Sequence, residues 1–172
     1  MTAEYLPGDR LRDNENRYGV SLWHNQTTRN GFTGLINYNK VSDDDYYTDL
    51  SSDITSTSQT QLLQQGKLTY GGGWWSTSIN FQQYQTLQPD ADNPVLEQYR
   101  MLPQITFNAR KPDFYQTDLS FLGQYTNFTI REREQFGTRY PDGKRTVLYP
   151  QIALPYVTPG WYITPKFGRS EE

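Results

Sequence analysis

Gly71-Gly72-Gly73-Trp74-Trp75-Ser76-Thr77-Ser78-Ile79-Asn80-Phe81-Gln82 decides how this chain folds. After the triple glycine, Trp75, Thr77, Ile79 and Phe81 point one way, and Ser76, Ser78, Asn80 and Gln82 the other. That two-residue period belongs to a strand with one apolar face. The glycines read as a turn and not as a phosphate cradle, since neither a helix nor a Lys-Ser/Thr pair follows them. Working outward, Met101, Ile105, Phe107 and Ala109 oppose Gln104, Thr106, Asn108 and Arg110. Tyr115, Thr117, Leu119, Phe121 and Tyr125 oppose Gln116, Asp118, Ser120 and Gln124, and earlier Phe32, Gly34, Ile36 and Tyr38 oppose Thr33, Asn37 and Asn39. Weaker strands are expected around Tyr18 to His24, Leu62 to Tyr70 and Trp161 to Phe167, and no stretch carries a helical period.

The connectors alternate in length. They are tight at Thr28-Arg29-Asn30-Gly31, Gly71-Gly72-Gly73, Lys111-Pro112-Asp113 and Thr158-Pro159-Gly160. They are long from Asp43 to Thr57, from Gln88 to Tyr99 and from Arg131 to Gly143. Outer-membrane barrels have this rhythm, with short periplasmic turns and long extracellular loops. The expected fold class is therefore all-β: an antiparallel up-and-down transmembrane β-barrel, with about eight meander strands forming part of a larger barrel. Residues 1–172 read as a single segment of that domain, with strands at 17–27, 32–42, 60–70, 74–87, 100–110, 114–129, 145–156 and 161–168. Leu102-Pro103-Gln104-Ile105 and Tyr149-Pro150-Gln151-Ile152 each follow a long connector. Both are expected to open a strand, where proline costs no ladder hydrogen bond.

Composition supports the same solvent. Of 172 residues only 34% are hydrophobic, yet 15% are aromatic, and the mean hydropathy is -0.86. Few apolar but many aromatic residues suit a wall in which only alternate side chains meet lipid and aromatic girdles mark its rims. No apolar run approaches the roughly twenty residues of a spanning helix. The net charge of -3 offers no basic field for nucleic acid, and the absence of Cys excludes thiol chemistry and disulfides. Met1-Thr2-Ala3-Glu4-Tyr5-Leu6-Pro7 lacks the regions of a signal peptide, so the chain is expected to be a piece of something longer.

The inward set, including Asn80, Gln82, Gln104, Asn108 and Asp118, is mostly neutral. A closed eight-stranded barrel is just wide enough for side chains to fill it. Neutral polar residues suit instead a wide, wet lumen or contact with a plug. Trp23, Trp74, Trp75 and Trp161 all lie near tight turns and are expected to form one interfacial belt.

Chemistry is scarce. His24 is the only histidine, so any triad would have to run through it, and there is no Gly-x-Ser-x-Gly elbow. Asp43-Asp44-Asp45 with Asp49 lacks the spacing, central Gly and terminal Glu of a calcium loop, and reads as a solvated loop. Two glycosylation sequons, at Asn25 and Asn127, have no use in a bacterial barrel. Arg131, Arg133, Arg139, Lys144 and Arg145 make the most basic connector, which outside the cell would lie near anionic lipid phosphates that Arg can hold bidentately, although Glu132, Glu134 and Asp142 dilute it. No catalytic, metal or cofactor site is expected, and the chain does not read as an enzyme.

Tyr5-Leu6-Pro7-Gly8-Asp9-Arg10 and the stretch from Asn37 through Lys40-Val41-Ser42-Asp43-Asp44-Asp45-Tyr46-Tyr47-Thr48-Asp49-Leu50 resemble the LptD family of lipopolysaccharide-assembly outer-membrane proteins. Phe81-Gln82-Gln83-Tyr84-Gln85-Thr86-Leu87 and Leu102-Pro103-Gln104 follow in that family's order. The resemblance implies an internal piece of the barrel, within a translocon that inserts lipopolysaccharide into the outer leaflet of a Gram-negative outer membrane. It also implies a lipoprotein plug, LptE, a periplasmic bridge protein, LptA, and a strand end and loop over Lys40 to Leu50. Two other readings stay open. A complete eight-stranded pore or adhesin needs the strand near Tyr18 to pair with the one near Trp161. A soluble carbohydrate-binding β-sandwich would use Trp74 and Trp75 as a sugar platform and needs a second sheet.

Overall fold

A computed structural model describes residues 1–51, 59–157 and 159–168. Part of the connector expected from Asp43 to Thr57, and Thr158 of the last tight turn, lie outside those residues. The elements run β1 (Thr2–Asp9), β2 (Glu15–Thr27), β3 (Phe32–Val41), α1 (Tyr46–Leu50), β4 (Gln61–Gly72), β5 (Trp75–Thr86), β6 (Arg100–Phe114) and β7 (Thr117–Thr129). They continue with β8 (Glu134–Gln135), β9 (Thr138–Arg139), β10 (Gly143–Ala153), β11 (Tyr156–Val157), β12 (Tyr162–Ile163) and β13 (Lys166–Gly168). Nine strands form one antiparallel meander in the order β1-β2-β3-β4-β5-β6-β7-β10-β13, while β8–β9 and β11–β12 are small separate ribbons. Among the described residues the sheet is not closed, since β1 pairs only with β2 and β13 only with β10.

Several expectations change. The main sheet holds nine strands and not eight, because β1 adds an edge strand over Thr2–Asp9. Pro7 hides it from a reading by pattern, but an edge strand can carry proline where no neighbour needs its N–H. Tyr18 pairs with Tyr5 and not with the chain near Trp161, which removes the small closed barrel. Pro150 lies inside β10 and does not open it, and β10 ends at Ala153, short of 156. The last expected strand survives only as β12 and β13. Among the described residues one short helix, α1, interrupts the run of strands. The third tight turn sits at Tyr115 and Gln116 and not at Lys111-Pro112-Asp113. Both residues have positive φ, 50° and 67°, the backbone of a two-residue hairpin turn that Asn-Gly usually signals.

Register sets the faces. Ile79 stands opposite Ile105 and Leu68, Phe81 opposite Gly66, and Gly66 opposite Ile36. On the other face Asn80 stands opposite Gln104, and Ser76 opposite Asn108. A bulge at Leu102-Pro103 shifts β6 by one residue, so Met101 faces Gln82 and belongs to the polar side. The alternation had placed it with Ile105. A one-residue shift moves a side chain through the sheet.

No second layer covers the apolar side among the described residues. Ile79 and Phe81 remain 39% and 50% exposed, while Phe107, Leu119 and Phe121 are half-buried against their neighbours. Among the described residues the one buried apolar cluster joins Val41, Tyr46, Leu62 and Leu87 at the long-connector end. With no covering sheet, the carbohydrate-binding sandwich has no support. No described helix is long and apolar enough to cross a membrane, which bears only on helices.

The tight-turn end shows how closely the hairpins abut. Gly31 has φ +84°, and a Cβ there would sit 2.6 Å from the Gly71 carbonyl oxygen. Gly34, on the same strand pair, has open space. Gly31→Ala is expected to lower unfolding stability by about 1–3 kcal/mol, the usual cost of forcing a side chain into such a backbone. Gly34→Ala should change it far less. Urea titration of the protein in micelles, followed by tryptophan fluorescence, measures both.

Candidate functional site: a two-faced wall and its ion-paired loop

Beyond β3 the chain turns back over the polar side of the sheet. Gly19 makes this possible, for a Cβ there would lie 2.8 Å from the Tyr46 hydroxyl. Tyr46 is buried and donates to Glu4 Oε2 at 2.9 Å, tying α1 to β1. Burial, then the bond to Glu4, pushes its phenol up to about 12.

Arg17 holds the loop. Its side chain is 3% exposed and its Nε and Nη2 donate to both oxygens of Asp43 at 3.0 and 2.7 Å. Nη1 reaches Asp49 at 3.0 Å and Asp9 at 3.2 Å. Arg12 adds Asp45 at 2.9 Å and Asp49 at 2.7 Å. The acidic run therefore spends Asp43, Asp45 and Asp49 on the guanidinium groups of two arginines. Desolvation alone would raise the Asp43 carboxyl, but hydrogen bonds from Arg17 and Ser42, with the arginine's charge, hold it below the ordinary carboxylate range. The resemblance implied a strand end and loop over Lys40 to Leu50; β3 ends at Val41, but Tyr46–Leu50 is the helix α1, and the sequence reading missed Arg17 as the anchor.

The two faces carry different chemistry. On the apolar side, near the tight turns, Phe32, Tyr70, Trp75, Phe107 and Phe121 form a ladder across β3 to β7, with successive ring centroids 4.6, 5.3, 5.9 and 6.0 Å apart. Cross-strand aromatic pairs of this kind stabilise a sheet face. Parity in the sequence had placed Phe32, Phe107 and Phe121 on apolar faces, but the expected belt was drawn from Trp alone and left them and Tyr70 out. Trp75 joins the ladder and Trp74 occupies the turn before it. Trp161 packs on Tyr156 at 5.4 Å, apart from the ladder. Trp23 does not share the belt. It stands opposite Asn37, in the row of Gln65 and Gln82, on the polar face.

Asn80, Gln82, Gln104, Asn108 and Asp118 do share one face. Gln65 Nε2 donates to Asn80 Oδ1 at 2.9 Å and to Gln82 Oε1 at 3.3 Å, and Gln82 Nε2 donates to the Tyr84 hydroxyl at 2.8 Å. Gln104 and Thr126 meet at 3.3 Å, and Asn80 is 5% exposed. Asp118 lies apart, accepting from the Asp113 N–H at 3.0 Å beside the turn.

The basic connector does not gather into one patch. Arg133 pairs with Asp142, and Arg145 lies over the Phe128 ring at 5.5 Å and touches Gln124 on the polar face. Arg139 belongs to the β8–β9 ribbon, Lys144 pairs in register with Asn127, and Arg131 lines a cavity with Lys40 and Arg100. His24 is exposed and meets Gln26 at 3.4 Å. It stands in the row of Ile36 and Phe81.

Among the described residues the molecule is a long meander with one bare apolar face and one hydrogen-bonded polar face. The family model described as LPS transport system D matches residues 15–172. The chain belongs to the LptD family. It is 41% identical over 171 residues to an LPS-assembly protein LptD of Azoarcus sp. (strain BH72), covering 98% of this chain and 20% of the relative. A relative of the same name in Aromatoleum aromaticum is 40% identical over 96% of this chain and 20% of its own length. One in Nitrosomonas europaea is 38% identical over 95% of this chain and 22% of its own. The chain thus spans about 20% of the length of the curated relatives it matches.

The family member's loop should respond to acid. Asp43 is held lower in the folded loop than in the unfolded chain, so it stabilises the loop at every pH above the unfolded value of about 3.9. That contribution fades as pH falls toward the depressed folded value. Limited proteolysis between Ser42 and Ser51 is expected to rise below about pH 4. Arg17→Gln, which takes the buried guanidinium away from three partly exposed carboxylates, is expected to cost about 2 kcal/mol and to open the same segment at neutral pH.

Proposed function

We propose that this chain is a stretch of barrel wall in an outer-membrane protein that assembles and inserts lipopolysaccharide into the outer leaflet. The observation that carries the reading is the uncovered apolar face on a sheet whose relatives are named LPS-assembly protein LptD. An exposed apolar sheet in water would aggregate, whereas against acyl chains it is at rest. Twelve residues in β5 and thirteen in β7 exceed the roughly 9–11 that a tilted strand needs to cross a bilayer. The aromatic ladder takes the level of the periplasmic interface, and the long connectors lie outside the cell. Open edges at β1 and β13 are where further strands of a larger barrel would pair.

In this reading the polar face looks into the lumen. Its neutral Asn, Gln and Thr side chains bond to one another and give a smooth wet wall, against which an internal plug such as LptE rests. Lipopolysaccharide is the transported partner, and LptA delivers it on the periplasmic side. The work is transport and insertion, with no bond made or broken, in the outer membrane of a Gram-negative bacterium.

Depth measurement tests the placement. Single cysteines replacing Ile79, Phe81, Asn80 or Gln82 in the full-length protein, labelled with bimane in proteoliposomes, should divide by parity. Labels at 79 and 81 should be quenched by brominated lipid, and those at 80 and 82 by aqueous iodide. Equal iodide quenching at all four positions would overturn the reading.

A further inference from the structure

We infer that the apolar face carries a groove for one phosphorylated lipid, with the acyl chain lying along β3, β4 and β5 and the phosphate at the long-connector end. Two glycines open it. Gly34 stands opposite Leu68, and Gly66 lies between Ile36 and Phe81. A Cβ at either glycine would meet nothing within 4 Å. The missing side chains leave an apolar cavity of about 520 Å³ walled by Phe32, Ile36, Leu68, Ile79 and Phe81. A second space, about 240 Å³, starts from Ile36 and Phe81 and reaches Tyr38, Gln64 and Gln83. Those three also line a third, about 460 Å³, which Lys40, Arg100 and Arg131 enclose. Shared walls make the three spaces one track, apolar at one end and cationic at the other.

The cationic end is drawn from three separate parts of the chain. Among the described residues Lys40, Arg100 and Arg131 form no ion pair, whereas Arg12, Arg17 and Arg133 are all paired. Among the described residues the one carboxylate on this cavity is Glu97, which accepts the Glu132 N–H at 3.1 Å. Three cations against one carboxylate leave a net positive site, and arginine and lysine beside amide donors suit a phosphate. Lys40, Gln64 and Gln83 continue the rows that carry the apolar side chains, so the charge sits where the apolar band ends. A free anion has no use for the groove below; a lipid with a phosphate head uses both. The inference rests on the proposed contact of this face with lipid.

Native mass spectrometry of the full-length protein from zwitterionic micelles tests it, with phosphatidic acid, phosphatidylcholine and inorganic phosphate as probes. One phosphatidic acid should be retained in preference to phosphatidylcholine. Lys40→Gln/Arg100→Gln/Arg131→Gln should weaken that binding about tenfold or more. Gly66→Leu, which fills the groove and leaves every charge in place, should weaken it to a similar extent while heat-modifiable gel mobility stays unchanged. Equal retention of both lipids would overturn the cationic head site. Unchanged binding in Gly66→Leu would overturn the tail groove, and inorganic phosphate binding as tightly as the lipid would overturn the lipid as ligand. Iodide quenching at positions 79 and 81 would instead remove the barrel reading, and this inference with it.

Discussion

Backbone pairing across the meander constrains everything else in this molecule. Each inner strand satisfies its N–H and C=O groups sideways, and the antiparallel register then obliges opposite residues to share a face. Ile36, Gly66 and Phe81 lie in one row because three strands agree in register. A slip of one residue would carry a whole strand's apolar set to the polar side. The bulge at Leu102-Pro103 shows the effect in miniature, taking Met101 across the sheet while Ile105 and Phe107 stay.

A sheet with one apolar face and no second layer needs a partner for that face. Soluble β-proteins provide it with another sheet or a helix. Here the buried apolar cluster is confined to the long-connector end, where Val41 and Leu62 meet Tyr46 and Leu87. The proposed bilayer would supply the remainder, and the aromatic ladder and the cationic cavity would lie at its two boundaries. Gly34 and Gly66 then acquire a shared meaning: they thin the wall where one acyl chain can lie.

Much of this architecture was legible from alternation. Trp75 to Phe81, Ile105 to Ala109 and Leu119 to Tyr125 were placed on the apolar face by parity, and register keeps them there. Asn80, Gln82, Gln104, Asn108 and Asp118 were grouped in the same way. Other features follow from signals that local pattern does not carry. β1 was hidden by Pro7 and Gly8, which an edge strand tolerates. The turn at Tyr115 and Gln116 uses residues that rarely take positive φ, while Lys111-Pro112-Asp113 imitates a turn nearby. Trp23 was assigned by nearness to a turn, when its parity with Asn37 decides its face. The five basic residues of one connector looked like a patch, yet neighbours in sequence diverge when the backbone threads a ribbon and returns to the sheet.

By itself the sequence determined that this is a β chain with one apolar and one polar side, since a two-residue period is a local property of each strand. Its stretch from Lys40 to Leu50 also carried the family. Only the tertiary structure decided which residues meet. Arg17 finds Asp9, Asp43 and Asp49 because β1, β2 and the loop converge. Lys40, Arg100 and Arg131 share a cavity because the ends of β3 and β6 and the connector after β7 come together at one rim. Such meetings depend on register and strand order, and these are fixed by pairing between distant segments that no local pattern records.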